Sequence, residues 1–165
     1  MSIEINGIAH IQLTVSSPDV GVPFWERLCH FMGLKTLMRN DNSMYCIGGR
    51  TGVLVRGAPD DKSDVPFDQD TCGLHHVCFR ARSIEDVKAV AEFAEHELKA
   101  TMVHSAQDDS QFAPGYYSVL FEDPDGIRIE VNHVPGKGHF GGSGRLADGG
   151  DGPADHYGED GLLNR

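Results

Sequence analysis

The chain has 165 residues, enough for one core of ordinary size, and a formal net charge of −11 at pH 7. Its lysines and arginines form no cluster or basic stripe, which argues against nucleic acid or an anionic membrane as a partner. No apolar run approaches the roughly 18 residues needed to span a bilayer, and the amino terminus lacks the layout of a secretory signal. These features predict a soluble cytoplasmic protein.

The first predicted unit covers residues 5–58. Apolar and polar residues alternate over residues 8–15, which predicts a strand. A helix is expected from about residue 20 or 23 to residue 32, because Asp19 can cap it, Pro23 suits a first turn and Gly33 suits the position just past its end. Strands near residues 35–39, 43–47 and 52–56 complete a strand, helix and three-strand unit.

A second unit, over residues 72–135, repeats this plan after an Asp- and Pro-rich linker at residues 59–71. Residues 73–85 align without a gap with residues 7–19, so that His76 corresponds to His10. The helix of this unit opens near Ser83, and its strands are expected near residues 101–104, 116–122 and 127–133. The Gly-rich acidic segment 136–165 has almost no apolar periodicity and is expected to form a tail.

Three polar residues lie on the polar faces of predicted strands. His10 and His76 alternate with the apolar residues of the first strand of each unit, and Glu130 does so in the last strand. If these strands curve around a common cleft, two imidazoles and one carboxylate converge there, a set that suits one divalent ion of Fe, Mn, Ni or Zn. His75 is expected to point to the opposite side of its strand and to have a structural role.

The repeat and the segment from Gly115 to Glu130, with the sequence GYYSVLFEDPDGIRIE, resemble the vicinal oxygen chelate superfamily. That group contains glyoxalases, extradiol dioxygenases, fosfomycin-resistance thiol transferases and bleomycin resistance proteins, and the resemblance covers about residues 5–135. It implies an α+β fold, with two βαβββ modules in one domain (residues 1–135) that form an open mixed-sheet barrel around a metal cleft. It also implies a homodimer and metal ligation by His10, His76 and Glu130.

Glyoxalases of this superfamily have a fourth ligand at the end of the first module. Aligning residues 52–56 with residues 126–130 puts Arg56 at that position, and a guanidinium does not ligate a metal. The resemblance therefore favours a dioxygenase-like enzyme acting on a small molecule that chelates the metal through neighbouring oxygens. A glyoxalase-type lyase or isomerase, a fosfomycin-type thiol transferase and a non-catalytic binding protein of the bleomycin resistance type are the alternatives.

Five further residues are candidates for contacts with the substrate. Tyr116 and Tyr117 precede the last hairpin, near where the family often has an active-site tyrosine, and alternation allows only one of them to face the cleft. Arg56, Arg80 and Arg128 lie on the cleft-facing register, where they can bind a carboxylate or phosphonate or pair with the many acidic residues of the chain.

Overall fold

A computed structural model describes residues 7–135 of the chain. These residues form eight strands and two α-helices: β1 (His10–Val15), α1 (Pro18–Phe31), β2 (Lys35–Asn40), β3 (Ser43–Gly48), β4 (Thr51–Gly57), β5 (His76–Arg80), α2 (Ile84–Glu92), β6 (Thr101–Asp108), β7 (Tyr117–Glu122) and β8 (Arg128–His133). A π-helical turn at Phe93–Leu98 extends α2, and a short 3-10 helix at Asp60–Lys62 lies within the predicted linker.

The strands form two four-stranded mixed sheets with the same topology. The first has the order β1-β4-β3-β2 and the second the order β5-β8-β7-β6. In each sheet the first strand of the module pairs in parallel with the last, and the other pairs are antiparallel. The sheets stay open, which confirms the predicted α+β fold of two βαβββ modules.

Helix α1 begins earlier than its sequence predicts. Pro18 occupies its first turn, and Pro23 lies inside the helix rather than at its start. Gly21 allows a close approach to the sheet, since a Cβ atom there would lie 2.6 Å from the Cβ of Val15. Gly33 follows the helix with φ of +84°, a left-handed conformation that glycine adopts without steric cost, as expected for a helix end.

Helix α2 begins at a predicted cap. The side chain of Ser83 accepts a hydrogen bond of 3.1 Å from the backbone N–H of Asp86 and so satisfies one of the free donors of the first turn. Val87, Val90 and Ala91 form its buried stripe against the second sheet. The two helices therefore each cover one face of a sheet and leave the opposite, more polar face uncovered by helix.

A single hydrophobic cluster contains side chains from both modules. Between the modules, the fully buried Trp25 of α1 donates an indole hydrogen bond of 2.8 Å to Asp123 in the β7–β8 turn. The rings of Phe31 and Phe93 stack at 4.0 Å, close to the end of both helical segments. These contacts fix the orientation of β8 relative to the first module.

Within residues 7–135, no helix is long and apolar enough to cross a membrane. The predicted tail at residues 136–165 lies outside the described part of the chain.

Candidate metal centre

His76 and Glu130 are brought together by the parallel pair of β5 and β8. Cys78 lies opposite Glu130 in the register, so that His76 is one step along the same face of the sheet. The Nε2 atom of His76 lies 3.1 Å from Oε2 of Glu130, and the side chain of Glu130 is 14% exposed. Two of the three predicted ligands therefore meet at one point on the open face of the second sheet.

Tyr116 completes this group from the loop that precedes β7. Its hydroxyl donates a hydrogen bond of 2.5 Å to Oε1 of Glu130, the oxygen that faces away from His76. Burial, followed by the hydrogen bond to Glu130, raises the pKa of the Tyr116 phenol above its ordinary value. The phenol is therefore a hydrogen-bond donor at neutral pH and holds the carboxylate in one orientation.

The loop that carries Tyr116 is held by a buried carboxylate. Asp109 is 3% exposed, and it accepts a hydrogen bond of 2.5 Å from the hydroxyl of Ser118 and others from Gln107 and Gln111. The backbone N–H of Asp109 donates to the carbonyl of Tyr116 at 2.8 Å. Because this carboxylate is fully hydrogen-bonded, it holds the backbone of the loop at Tyr116 in place.

Tyr117 faces the other side of the sheet. Its hydroxyl donates to the backbone carbonyl of Ala106 at 3.1 Å, and the ammonium of Lys88 lies 5.7 Å from its ring centre. Alternation predicts that only one of the two tyrosines faces the open side. The structure identifies that residue as Tyr116.

Cys78 shares the open face with His76 and Glu130. The residue is partly accessible to solvent, yet desolvation of its thiol and the negative charge of Glu130 raise its pKa to about 12. The thiol therefore stays protonated at neutral pH in the metal-free protein.

His10 lies in the other sheet, at the start of β1, where it is exposed. Its ring meets the ring of Tyr45 edge-on at 6.4 Å. Among residues 7–135, no three side chains of His, Cys, Asp or Glu are grouped so that they could hold a metal ion. A single chain thus brings together His76 and Glu130 without His10, whose role as a ligand stays a prediction.

The three predicted substrate-binding arginines differ in their surroundings. Arg128 is paired with Glu122, with 3.3 Å between Nε and Oε1. Arg56 and Arg80 are exposed, and neither forms a salt bridge within the described range 7–135. Arg80 is on the same face of β5 as His76, so it is the better placed of the two to meet a negative group near Glu130.

The strand register corrects the alignment that put Arg56 at the fourth ligand position. Glu130 lies opposite Cys78, two residues after His76, whereas the residue opposite Gln12, two residues after His10, is Leu54. Leu54 is therefore the counterpart of Glu130 in the first module. Leucine has no donor atom, so this strand position of the first module carries no group that could ligate a metal.

The predicted direction of the His75 side chain was wrong. Its Nδ1 atom lies 2.8 Å from Nδ1 of His76, and the two rings are nearly perpendicular, at 82°, with centres 5.1 Å apart. His75 precedes the first residue of β5, so strand alternation does not fix the direction of its side chain. The adjacency of two histidines was the one signal in the sequence for this contact.

The separation of the two donors suits a metal ion. Imidazole nitrogen and carboxylate oxygen bind divalent metals at about 2.0–2.2 Å, so two such ligands lie about 3.0 Å apart at a right angle and about 3.4 Å apart at a tetrahedral angle. The observed 3.1 Å between Nε2 of His76 and Oε2 of Glu130 lies between these values and is also the length of a hydrogen bond between the two groups. The hydrogen bonds from Tyr116 to Glu130 and between His75 and His76 provide the outer contacts that metal ligands usually have.

Solved structures show the same fold over most of this chain. A glyoxalase-type protein from Bacillus halodurans is 23% identical, with 78% of this chain and 96% of that one covered and a TM-score of 0.67. A glyoxalase/bleomycin resistance protein from Albidiferax ferrireducens T118 is 17% identical, with 77% of this chain and 98% of that one covered and a TM-score of 0.63. Lactoylglutathione lyase from Agrobacterium tumefaciens is 21% identical, with 78% of this chain and 94% of that one covered and a TM-score of 0.55.

No functionally curated protein matches the sequence. The family model of the glyoxalase/bleomycin resistance protein/dioxygenase superfamily matches residues 7–131, which is nearly the whole of the described structure. Together with the paired βαβββ modules, this match shows that the chain belongs to the glyoxalase/bleomycin resistance protein/dioxygenase superfamily.

Proposed function

We propose that this protein is a divalent-metal-dependent enzyme that acts on a small molecule with two neighbouring oxygens. The observation that carries the proposal is the His76–Glu130 pair at 3.1 Å, with Tyr116 on the second carboxylate oxygen. The ion would be held by His76, Glu130 and His10. When bound, it would supply Lewis acidity to the two substrate oxygens.

The third ligand, His10, is proposed to come from a second copy of the chain in a homodimer. A single chain lacks a third ligand beside Glu130 within residues 7–135. The polar faces of both sheets are uncovered by helix, and apolar side chains on the edge strands β2 and β6 are exposed: Leu37 at 63%, Met38 at 44% and Val103 at 40%. A partner that covers these faces would bury this apolar area and complete the site.

The polar groups around Glu130 have distinct parts in this proposal. Tyr116 keeps its proton, because its pKa is raised, and holds the carboxylate by donating to Oε1. Arg80, exposed on the same face, would bind a negatively charged group of the substrate. Arg128 is engaged by Glu122 and would instead fix the start of β8.

Among the activities of the superfamily, we favour a dioxygenase-like one. Leu54 occupies the position equivalent to Glu130 in the first module, so that three protein ligands at most are supplied by these strand positions. A three-ligand set leaves more coordination positions open than a four-ligand set, and a bidentate substrate and a second reactant can then bind together.

The test is the metal content of protein purified without added metal, followed by titration with Fe(II), Mn(II), Ni(II) and Zn(II). We expect about one ion per chain for the wild type and loss of binding in His76→Ala and Glu130→Ala. Thr14→Ala, on the exposed face of β1, is the matched control and should bind as the wild type does. Less than about a tenth of an equivalent of every metal, before and after titration, would overturn the proposal.

The reaction class is then tested with the metal-loaded protein. Catechols, α-hydroxythioacetals and fosfomycin with a thiol represent the dioxygenase, lyase and transferase activities. Oxygen consumption with a catechol is the expected result. Turnover of either other substrate class would instead assign the corresponding activity, and binding without turnover would favour a non-catalytic protein.

A further inference from the structure

His76 is contacted on both of its ring nitrogens by side chains of the same module. Nε2 lies 3.1 Å from the Glu130 carboxylate, and Nδ1 lies 2.8 Å from Nδ1 of His75. His75 is exposed, so its own Nε2 atom is open to water. The order from the open sheet face to solvent is therefore Glu130, His76 and His75.

The contact between the two Nδ1 atoms restricts where the protons lie. A neutral imidazole has one N–H and one lone pair, and a hydrogen bond between two ring nitrogens requires one proton in total. Glu130 accepts hydrogen bonds only, so when both rings are neutral and no metal is bound, Nε2 of His76 carries the proton and His75 donates from Nδ1. The opposite arrangement, with His76 donating to His75 from Nδ1, leaves the lone pair of His76 on Nε2.

We propose that His75 is a positioning residue that orients the His76 ring and takes either role in this hydrogen bond. The inference rests on the proposed metal function, because ligation by Nε2 of His76 requires the second arrangement. His75 can accept the hydrogen bond and carry its own proton on Nε2, facing water. The two rings thus exchange tautomers and keep the hydrogen bond between them.

The proton positions are measured directly by nitrogen-15 NMR of histidine-labelled protein, recorded at a pH at which the nitrogen shifts show both rings to be neutral. Comparison with His75→Ala and His76→Ala assigns the two rings. In metal-free protein we expect the His75 proton on Nδ1, against the preference of free histidine for Nε2, and a move to Nε2 after one equivalent of Zn(II). A His75 tautomer that is the same in both states would overturn the inference.

Zinc affinity gives the second readout. His75→Ala should weaken binding roughly 10–100-fold, the usual effect of removing an outer partner of a ligating histidine. His75→Asn places an amide where Nδ1 lies, and it should restore most of that loss. Equal affinity of His75→Ala and the wild type would contradict the inference, as would failure of His75→Asn to rescue.

Failure of the proposed function looks different. In that case the wild type takes up no zinc. The NMR of the metal-free protein then still tests whether His75 contacts and orients His76. A His75 proton on Nδ1 that moves to Nε2 in His76→Ala supports the orienting contact. A proton on Nε2 in both proteins overturns it.

Discussion

Glu130 is the residue on which the polar contacts of the second sheet converge. One carboxylate oxygen accepts from Tyr116, and the other faces His76. Both contacts come from the same module, so they form without any contribution from a second chain. Tyr116 and Tyr117 lie on opposite faces of the same sheet, and only Tyr116 contacts Glu130. Substitutions of these two residues therefore form a matched pair that separates an effect on Glu130 from an effect on packing.

Tyr116→Phe removes the hydrogen bond to Glu130 and should weaken zinc binding roughly 10-fold, because the carboxylate loses the contact that orients it. Tyr117→Phe removes only the bond to the Ala106 carbonyl and should leave zinc binding unchanged while costing about 1 kcal/mol of unfolding free energy. Calorimetric titration with zinc and urea unfolding of both variants check the pair. Equal losses of affinity in the two would show that Tyr116 has no specific effect on the carboxylate.

The turn between β7 and β8 joins the two modules. Asp123, only 4% exposed, accepts hydrogen bonds from the Trp25 indole and from the backbone N–H groups of Asp125 and Ile127. Asp125 reaches back to the backbone N–H of Ser16 at 3.0 Å. Because this turn leads directly into the strand that carries Glu130, its contacts with α1 determine where the site lies relative to the first module.

Asp123→Ala should cost about 2 kcal/mol of unfolding free energy at neutral pH, since it leaves two buried donors, the Trp25 indole and the Ile127 N–H, and the part-buried N–H of Asp125 without an acceptor. Asp125→Ala, in the same turn but more exposed, is the control and should cost less than 1 kcal/mol. Urea unfolding followed by the fluorescence of Trp25, the one tryptophan of the chain, measures both. Similar costs for the two variants would contradict the assigned importance of Asp123.

The effect of Asp123→Ala on the unfolding free energy should also depend on pH. Desolvation raises the pKa of Asp123 above 3.8, although the hydrogen bonds from Trp25 and the backbone oppose this shift. A raised pKa in the folded state means that the folded protein binds the proton more tightly than the unfolded chain. The stability that this shift contributes is therefore fully present below pH 3.8 and is lost as the pH rises through the folded-state pKa, so the unfolding free energy lost in Asp123→Ala should become smaller as the pH rises through that range.

At the level of the whole molecule, the three proposed ligands lie on two different sheets, His10 on the first and His76 and Glu130 on the second. Within one chain these sheets do not bring the three side chains together. A homodimer in which each site combines His10 of one copy with His76 and Glu130 of the other predicts complementation. In such a dimer, a mixed pair of two different single-ligand variants contains one site with both substitutions and one site with neither.

His10→Ala and Glu130→Ala, each unable to bind metal alone, should recover about one quarter of the wild-type sites after they are unfolded together and refolded. Random pairing makes half of the dimers mixed, and each mixed dimer has one complete site. Zinc titration of the refolded mixture and of each variant refolded alone gives the count. No recovery, in a mixture whose mixed dimers are confirmed by mass spectrometry, would mean that each site is built from one chain.

The duplicated module and the polar faces of β1, β5 and β8 were predictable from the amino-acid sequence, because local alternation and a gapless repeat specify them. These faces carry the three candidate ligands, whose part in metal binding stays a prediction. Three features needed the tertiary structure. The pairing of β1 with β4 and of β5 with β8 shows that Leu54, not Arg56, is the counterpart of Glu130. Because β5 begins at His76, strand alternation does not apply to His75, and its side chain contacts the His76 ring. The separation of His10 from Glu130 depends on how two modules pack across long stretches of chain, and no local pattern encodes that arrangement.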